Sequence, residues 1–124
     1  MRFLCLIRAE KVMEQLAAAD AERHFAEYAE FDRSIKASGH YVDCNRLQPP
    51  ESAITVRVRD GKTFTTDGPF AETKEQLGGY YMIEARDLNE AILAASRIPG
   101  AWVGSVEVRP IADDEPTRRA LGRA

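Results

Sequence analysis

The sequence predicts an α+β domain in which helices cover one face of an antiparallel sheet and leave the other face open. Three features lead there. The run Phe3-Leu-Cys-Leu-Ile7 is apolar at every position, which suits a central strand covered on both sides. From Lys11 to Ser38 there is no Gly or Pro, and Phe25, Tyr28, Phe31 and Ile35 recur at helical spacing. Two β-rich runs, Ile54 to Arg59 and Lys62 to Thr66, flank Asp60-Gly61, a pair suited to a two-residue type I′ turn.

Taken in order, the first strand is followed by a long helix with a break near Asp20, whose carboxylate would cap a segment starting at Ala21. Gly39 closes that helix. A second strand runs from His40 to Leu47 and ends at Pro49-Pro50. Counting from the turn, the hairpin pairs Val58 with Thr63 and Val56 with Thr65 on an apolar face, and Arg57 with Phe64 and Arg59 with Lys62 on a basic one. Gly79 to Glu84 is a further strand, and Asp87-Leu-Asn-Glu90 resembles a capping box that starts a helix through Ile98, stopped by Pro99-Gly100. Gly104 to Pro110 alternates with period two, placing Val106 and Val108 on one face and Ser105, Glu107 and Arg109 on the other. The chain from Ala112 onward is polar and reads as a mobile tail, so the domain spans 1–111 and the tail 112–124. Without the hairpin the order is β-α-β-β-α-β, the ferredoxin-like arrangement. A first strand apolar on both sides needs a cover on the open face, and a second copy of the chain supplies it: a homodimer.

Composition narrows the partners. The 124 residues are 44% hydrophobic and 30% charged, enough for one packed core. A formal net charge of -3 offers no broad positive field for nucleic acid. The apolar run near the N-terminus is too short for a signal-peptide core or a membrane span, so a cytoplasmic protein is expected, with Cys5 and Cys44 as thiols. No Gly-rich phosphate loop, metal-ligand cluster or nucleophilic triad stands out, so no cofactor or metal is expected.

Between hairpin and third core strand lies Thr66-Asp-Gly-Pro-Phe-Ala-Glu-Thr-Lys-Glu-Gln-Leu-Gly-Gly-Tyr80. With Leu47-Gln-Pro-Pro50 and the closing Gly104 to Pro110, it resembles the signature of DGPF proteins, a branch of the YCII-related family. The resemblance implies a ferredoxin-like subunit paired into a dimeric α/β barrel. It also implies a bacterial protein whose gene often neighbours one for an extracytoplasmic-function sigma factor. Some YCII-related proteins resemble small lyases, such as dehydrochlorinases of chlorinated aromatics, that use a His on the first helix with a nearby Asp. Counting back from Gly39, this chain has Tyr28 where that His would fall. A phenol that titrates near pH ~10 does not replace an imidazole as a base at neutral pH without strong perturbation. His24, one turn earlier, can point the same way, although its simpler reading is a helix-surface side chain.

Candidate site residues follow. Asp67-Gly68-Pro69-Phe70 reads first as a turn, with Asp67 accepting backbone N–H groups and Phe70 anchoring the loop in the core. Functionally the loop would wall a pocket at the subunit boundary, with Asp67, Lys74 and Glu75 as proton-transfer candidates and Glu72 beside them. Tyr28, Phe31, Tyr80 and Tyr81 would supply aromatic walls or plain core, and Arg109 would clamp an anionic substrate or pair with Glu107 or Glu84 across a dimer interface. Two functions from different classes fit. One is a metal-free small-molecule lyase or isomerase. The other is a non-catalytic ligand-binding or regulatory module in a sigma-factor pathway, docking a protein through the basic hairpin face of Arg57, Arg59 and Lys62.

Overall fold

The structure, a computed structural model, describes residues 1–11 and 13–123. Strands β1 (Arg2–Ala9), β2 (Tyr41–Arg46), β5 (Gln76–Glu84) and β6 (Ser105–Pro110) form one antiparallel sheet in the order β2-β5-β1-β6. Strands β3 (Ile54–Arg59) and β4 (Lys62–Asp67) form a separate two-stranded sheet. Helices α1 (Ala18–Ala37), α2 (Leu88–Ala95), α3 (Gly100–Val103) and α4 (Glu115–Ala120) complete the chain. With the hairpin set aside, the strand order is that of a ferredoxin-like fold, and the all-apolar first strand is central between β5 and β6 as its pattern requires.

The helix-covered face holds the core. Phe3 and Cys5 of β1, Tyr81 and Ile83 of β5, Phe31 and Ile35 of α1, and Ala91, Ala94, Ala95 and Ile98 of the α2 region are buried together. Fully burying a side chain such as Ile35 contributes roughly 1.5–3 kcal/mol. The register Cys5 opposite Tyr81 and Val108, with Phe3 opposite Ile83, sets these side chains on one face. Leu4 and Leu6 therefore point the other way, opposite Arg109 and Glu107 on one side and Met82 and Tyr80 on the other, and stay half-buried in the single chain.

The hairpin has the register read from its turn: Val58 pairs with Thr63, Val56 with Thr65, Arg57 with Phe64 and Arg59 with Lys62. Asp60 and Gly61 both take positive φ, 51° and 73°, as a type I′ turn demands.

Several local expectations are corrected. Helix α1 starts at Ala18 after a 3-10 turn at Met13–Gln15, and its N-cap is Ala17, without a side-chain hydrogen bond. Asp20 lies in the first helical turn and pairs with Arg23 at 2.8 Å. A negative charge near a helix N-terminus is favourable wherever in that turn it sits, so the sequence signal located the turn and missed the cap. Asp87 does cap α2, accepting the Glu90 N–H at 2.9 Å, but Glu90 reaches back to the Arg86 N–H at 3.3 Å. Pro99-Gly100 does not end helical structure; Gly100 opens the short α3, since Pro tolerates a position just before a first turn. The tail contains α4, capped by Asp114, which accepts the Thr117 N–H at 2.9 Å.

The Asp67 loop is fixed by its backbone: the Gly68 N–H donates to the Ala53 carbonyl at 2.7 Å, and Thr55 Oγ1 donates to the Gly68 carbonyl at 2.9 Å. Among the described residues, the Asp67 carboxylate plays no part in holding it. Phe70 is 82% exposed and lies over the Arg57 guanidinium, 5.9 Å from ring centre to charge, so it does not anchor the loop in the core.

Candidate functional site: a cleft beside the first helix

A cavity of about 960 Å³ opens between the first half of α1, the ends of β1 and β5, and the Pro99–Val103 segment. That is the upper end of the range for pockets that hold small organic ligands. A slip in the β1–β5 register between Ile7 and Arg8 lies at its edge, and such irregularities commonly re-aim side chains beside functional sites.

Its chemistry is on α1. His24 faces the cavity with a side chain only 15% exposed, so it is not a surface residue; a three-to-four-residue period carries it onto the same face as Tyr28. Nδ1 of His24 lies 3.6 Å from Oε1 of Glu27, an ion-pair distance longer than a hydrogen bond. The imidazole stands edge-on to the Tyr28 ring, centroids 5.0 Å apart at 88°. The Tyr28 hydroxyl accepts the Gly100 N–H at 3.1 Å. Burial pushes the Tyr28 phenol up to about 12, against a smaller lowering by that N–H. Tyr28 is therefore not a base at neutral pH. Gly100 makes the contact possible, because a Cβ there would sit 2.7 Å from the Tyr28 hydroxyl and 2.5 Å from Ile7 Cγ2.

Charged groups ring the mouth. Arg23 is engaged by Asp20, Glu10 pairs with Lys74 at 3.2 Å, Glu75 Oε1 accepts from Ser105 Oγ at 2.7 Å, and the Arg46 guanidinium lies 5.5 Å from the Phe25 ring centre. Deeper, Cys44 and Tyr81 contribute to the wall. The Tyr81 hydroxyl donates to Asp32 at 3.4 Å, and burial, with Cys44 and Asp32 nearby, raises its pKa far above that of a free phenol. Among the described residues, no three His, Cys, Asp or Glu side chains gather as metal ligands.

Of the residues singled out in the sequence, the structure brings His24, Tyr28, Glu75, Tyr80 and Tyr81 to this cavity. Tyr80 stands at the β2–β5 edge, donating to Asp43 at 2.9 Å and accepting from Asn45 at 2.9 Å. Phe31 packs beneath, edge-on against Tyr81 in the core. Lys74 touches the rim only through Glu10. Asp67 and Glu72 are exposed on the hairpin side, and Arg109 is on the opposite sheet face, 3.8 Å from Glu107. Glu84 pairs with Arg2 at 3.8 Å, while Glu107 is shared with Arg8. Glu27 was absent from the sequence-based candidates; its position three residues after His24 on a helix was the available signal.

The α+β fold thus carries a mostly apolar cleft with a largely shielded imidazole in its wall. The chain matches the YCII-related domain over residues 1–114 and belongs to that family. It is 38% identical over 109 residues to an uncharacterized protein of Rhizobium meliloti (strain 1021), covering 86% of this chain and 88% of the relative. No helix among the described residues is long and apolar enough to cross a membrane.

Proposed function

We propose that this protein is a cytoplasmic small-molecule enzyme of lyase or isomerase type, in which His24 moves a proton inside the cleft and Glu27 orients it. The observation that carries the reading is a His shielded to 15% exposure, directed into a cavity of about 960 Å³, with a carboxylate 3.6 Å from Nδ1. A proton on the nitrogen facing Glu27 leaves Nε2 with a lone pair for substrate, and imidazole is the side chain suited to give and take protons near neutrality. The base thus lies one turn before the position at which the family resemblance places it.

The motif Asp67-Gly68-Pro69-Phe70 supports membership of the DGPF branch. The half-buried Leu4, Leu6 and Met82 on the uncovered sheet face support a homodimer paired through that face, as in a dimeric α/β barrel. Asp67, Glu72, Lys74 and Arg109 would join a site only across such a pairing.

Native mass spectrometry of protein purified gently from its host tests this. A dimer retaining a discrete small-molecule mass, lost on filling the cleft with His24→Trp, is the expected result. A monomer refutes the pairing. An empty dimer whose His24 ring protons do not shift with any member of a library of small carbonyl compounds and organic acids refutes the enzyme.

The exposed hairpin favours a second reading, a regulatory module of a sigma-factor pathway. One face of this stand-alone sheet carries Arg57, Arg59 and Lys62 together. Reversing the charges of Arg57 and Arg59 would abolish partner capture if that reading holds and leave small-molecule binding intact.

A further inference from the structure

We infer that Tyr28 is a catalytic hydrogen-bond donor to a developing oxyanion, and that the substrate is a small compound with a carbonyl next to an acidic C–H. The inference rests on the enzyme reading above and names its substrate class. The Gly100 N–H points at the phenolic oxygen, 3.1 Å away, and occupies one of its lone pairs. A phenol that accepts there keeps its own proton to donate, and accepting strengthens it as a donor. Glycine at 100 leaves the space beside that oxygen open, since a Cβ would sit 2.7 Å from it. Burial keeps the phenol protonated throughout the working pH range.

Three cations border the cavity: Arg23 is held by Asp20, Arg46 lies against Phe25, and Lys11 lines it just after β1. Acids outnumber them around the rim, with Glu10, Asp20, Glu27 and Glu75 all bordering the cavity. A neutral donor paired with a base therefore fits better than a cationic clamp, and it suits a substrate that enters uncharged and becomes anionic only during reaction.

The step balances within the substrate and two side chains. His24 Nε2 takes the proton from the carbon beside the carbonyl. The C–H pair forms a C=C bond to the carbonyl carbon, and the C=O π pair moves to oxygen, which accepts the Tyr28 hydrogen bond. In a substrate with a β,γ double bond, return of the proton to the γ-carbon, with the C=C moving to the α,β position and the oxygen pair re-forming C=O, completes an isomerisation. In one with a leaving group on the β-carbon, the oxygen pair re-forms C=O, the C=C moves to the α,β position and the group departs with its electron pair, completing an elimination.

Titration with 4-nitrophenol, whose phenolate mimics an enolate and reports binding by visible absorbance, tests this beside the neutral analogue 4-nitrotoluene. Wild type is expected to bind the phenolate, and Tyr28→Phe to weaken it about 10–100-fold, the loss of one hydrogen bond to a charged group. Binding of 4-nitrotoluene should be unchanged, and circular dichroism should show Tyr28→Phe folded. A ¹³Cζ-tyrosine label in the wild-type protein gives a second measurement independent of the variant: its Tyr28 signal should move with phenolate and not with nitrotoluene. Equal binding of both probes by both proteins, with no shift of the label, overturns the role of Tyr28 while leaving the His24 reading intact. Failure of wild type to bind either probe overturns both.

Discussion

Replacing Gly100 with alanine separates intrinsic preference from packing. Nothing about the backbone opposes the change, because Gly100 is not among the positive-φ glycines and it opens a helical turn. Helix propensity and the reduced entropy of the unfolded chain would then favour Ala by roughly 0.4–1 kcal/mol. The surroundings decide otherwise. The new Cβ would stand 2.5 Å from Ile7 Cγ2 and 2.7 Å from the Tyr28 hydroxyl, with the turn also held by the 3.1 Å bond to that hydroxyl. Overpacking of this kind costs about 1–3 kcal/mol, so the net effect is destabilising. With an unfolding entropy of about 2.1 cal/mol/K per residue, each kcal/mol corresponds to roughly 4 °C for a chain of this length. With two contacts under 3.0 Å the overpacking cost falls in the upper part of its range, about 2–3 kcal/mol. Less the gain of about 0.4–1 kcal/mol, this leaves roughly 1–2.6 kcal/mol, so Gly100→Ala should lower Tm by about 4–10 °C in scanning calorimetry. Tyr28→Phe should relieve part of the clash, so the double variant should lose less than the sum of the singles by about 0.5–1 kcal/mol, the signature of contacting residues. The relief is partial because Ile7 remains. A Gly100→Ala protein as stable as wild type, or more so, would refute the geometry of the cleft wall.

Removing the α2 cap with Asp87→Ala should cost about 1 kcal/mol, read as a lower urea midpoint at unchanged slope, because Asp87 accepts the Glu90 N–H at 2.9 Å. Glu90 is held below the ordinary carboxylate range first by His40, whose Nε2 lies 2.8 Å from Oε1, and then by the Arg86 N–H. Because its folded pKa is lowered, its contribution is complete above the unfolded value of 4.5 and is lost as pH falls through the folded one; His40→Asn should flatten urea midpoints across that acid window and leave the profile above it parallel to wild type. Cys5 is fully buried and burial pushes its thiol up to about 11, whereas Cys44 is partly exposed on β2. Iodoacetamide at neutral pH should add one group, mapping to Cys44; a second adduct on Cys5 without denaturant would contradict the central placement of β1.

The sheet and its hairpin were legible in the sequence because their signals are local or binary. Phe3 to Ile7 is apolar throughout, and only a strand flanked on both sides can be so; it lies between β5 and β6. Asp60-Gly61 fixes turn geometry, and turn geometry fixes register, so every hairpin pair could be counted in advance. Val106 and Val108 pack against the core, as strict alternation requires.

The site was legible only in part. Tyr28 could be singled out from its helical phase, but whether a polar residue on a helix edge meets water or a cavity depends on what is packed opposite it. For His24 the deciding neighbours come from more than 50 positions away, at Tyr81 and Gly100, and no local pattern encodes them. The same holds for Phe70: an aromatic after Gly-Pro looks like an anchor, yet the hairpin forms a sheet of its own and leaves the ring over Arg57. Periodicity along one chain segment determined the strands, the helices and the side of the sheet each residue takes. Contacts between segments distant in sequence, set by the packing of α1 and the Pro99–Val103 turn against the edge of β1, decided that there is a cleft and that His24, Glu27 and Tyr28 line it.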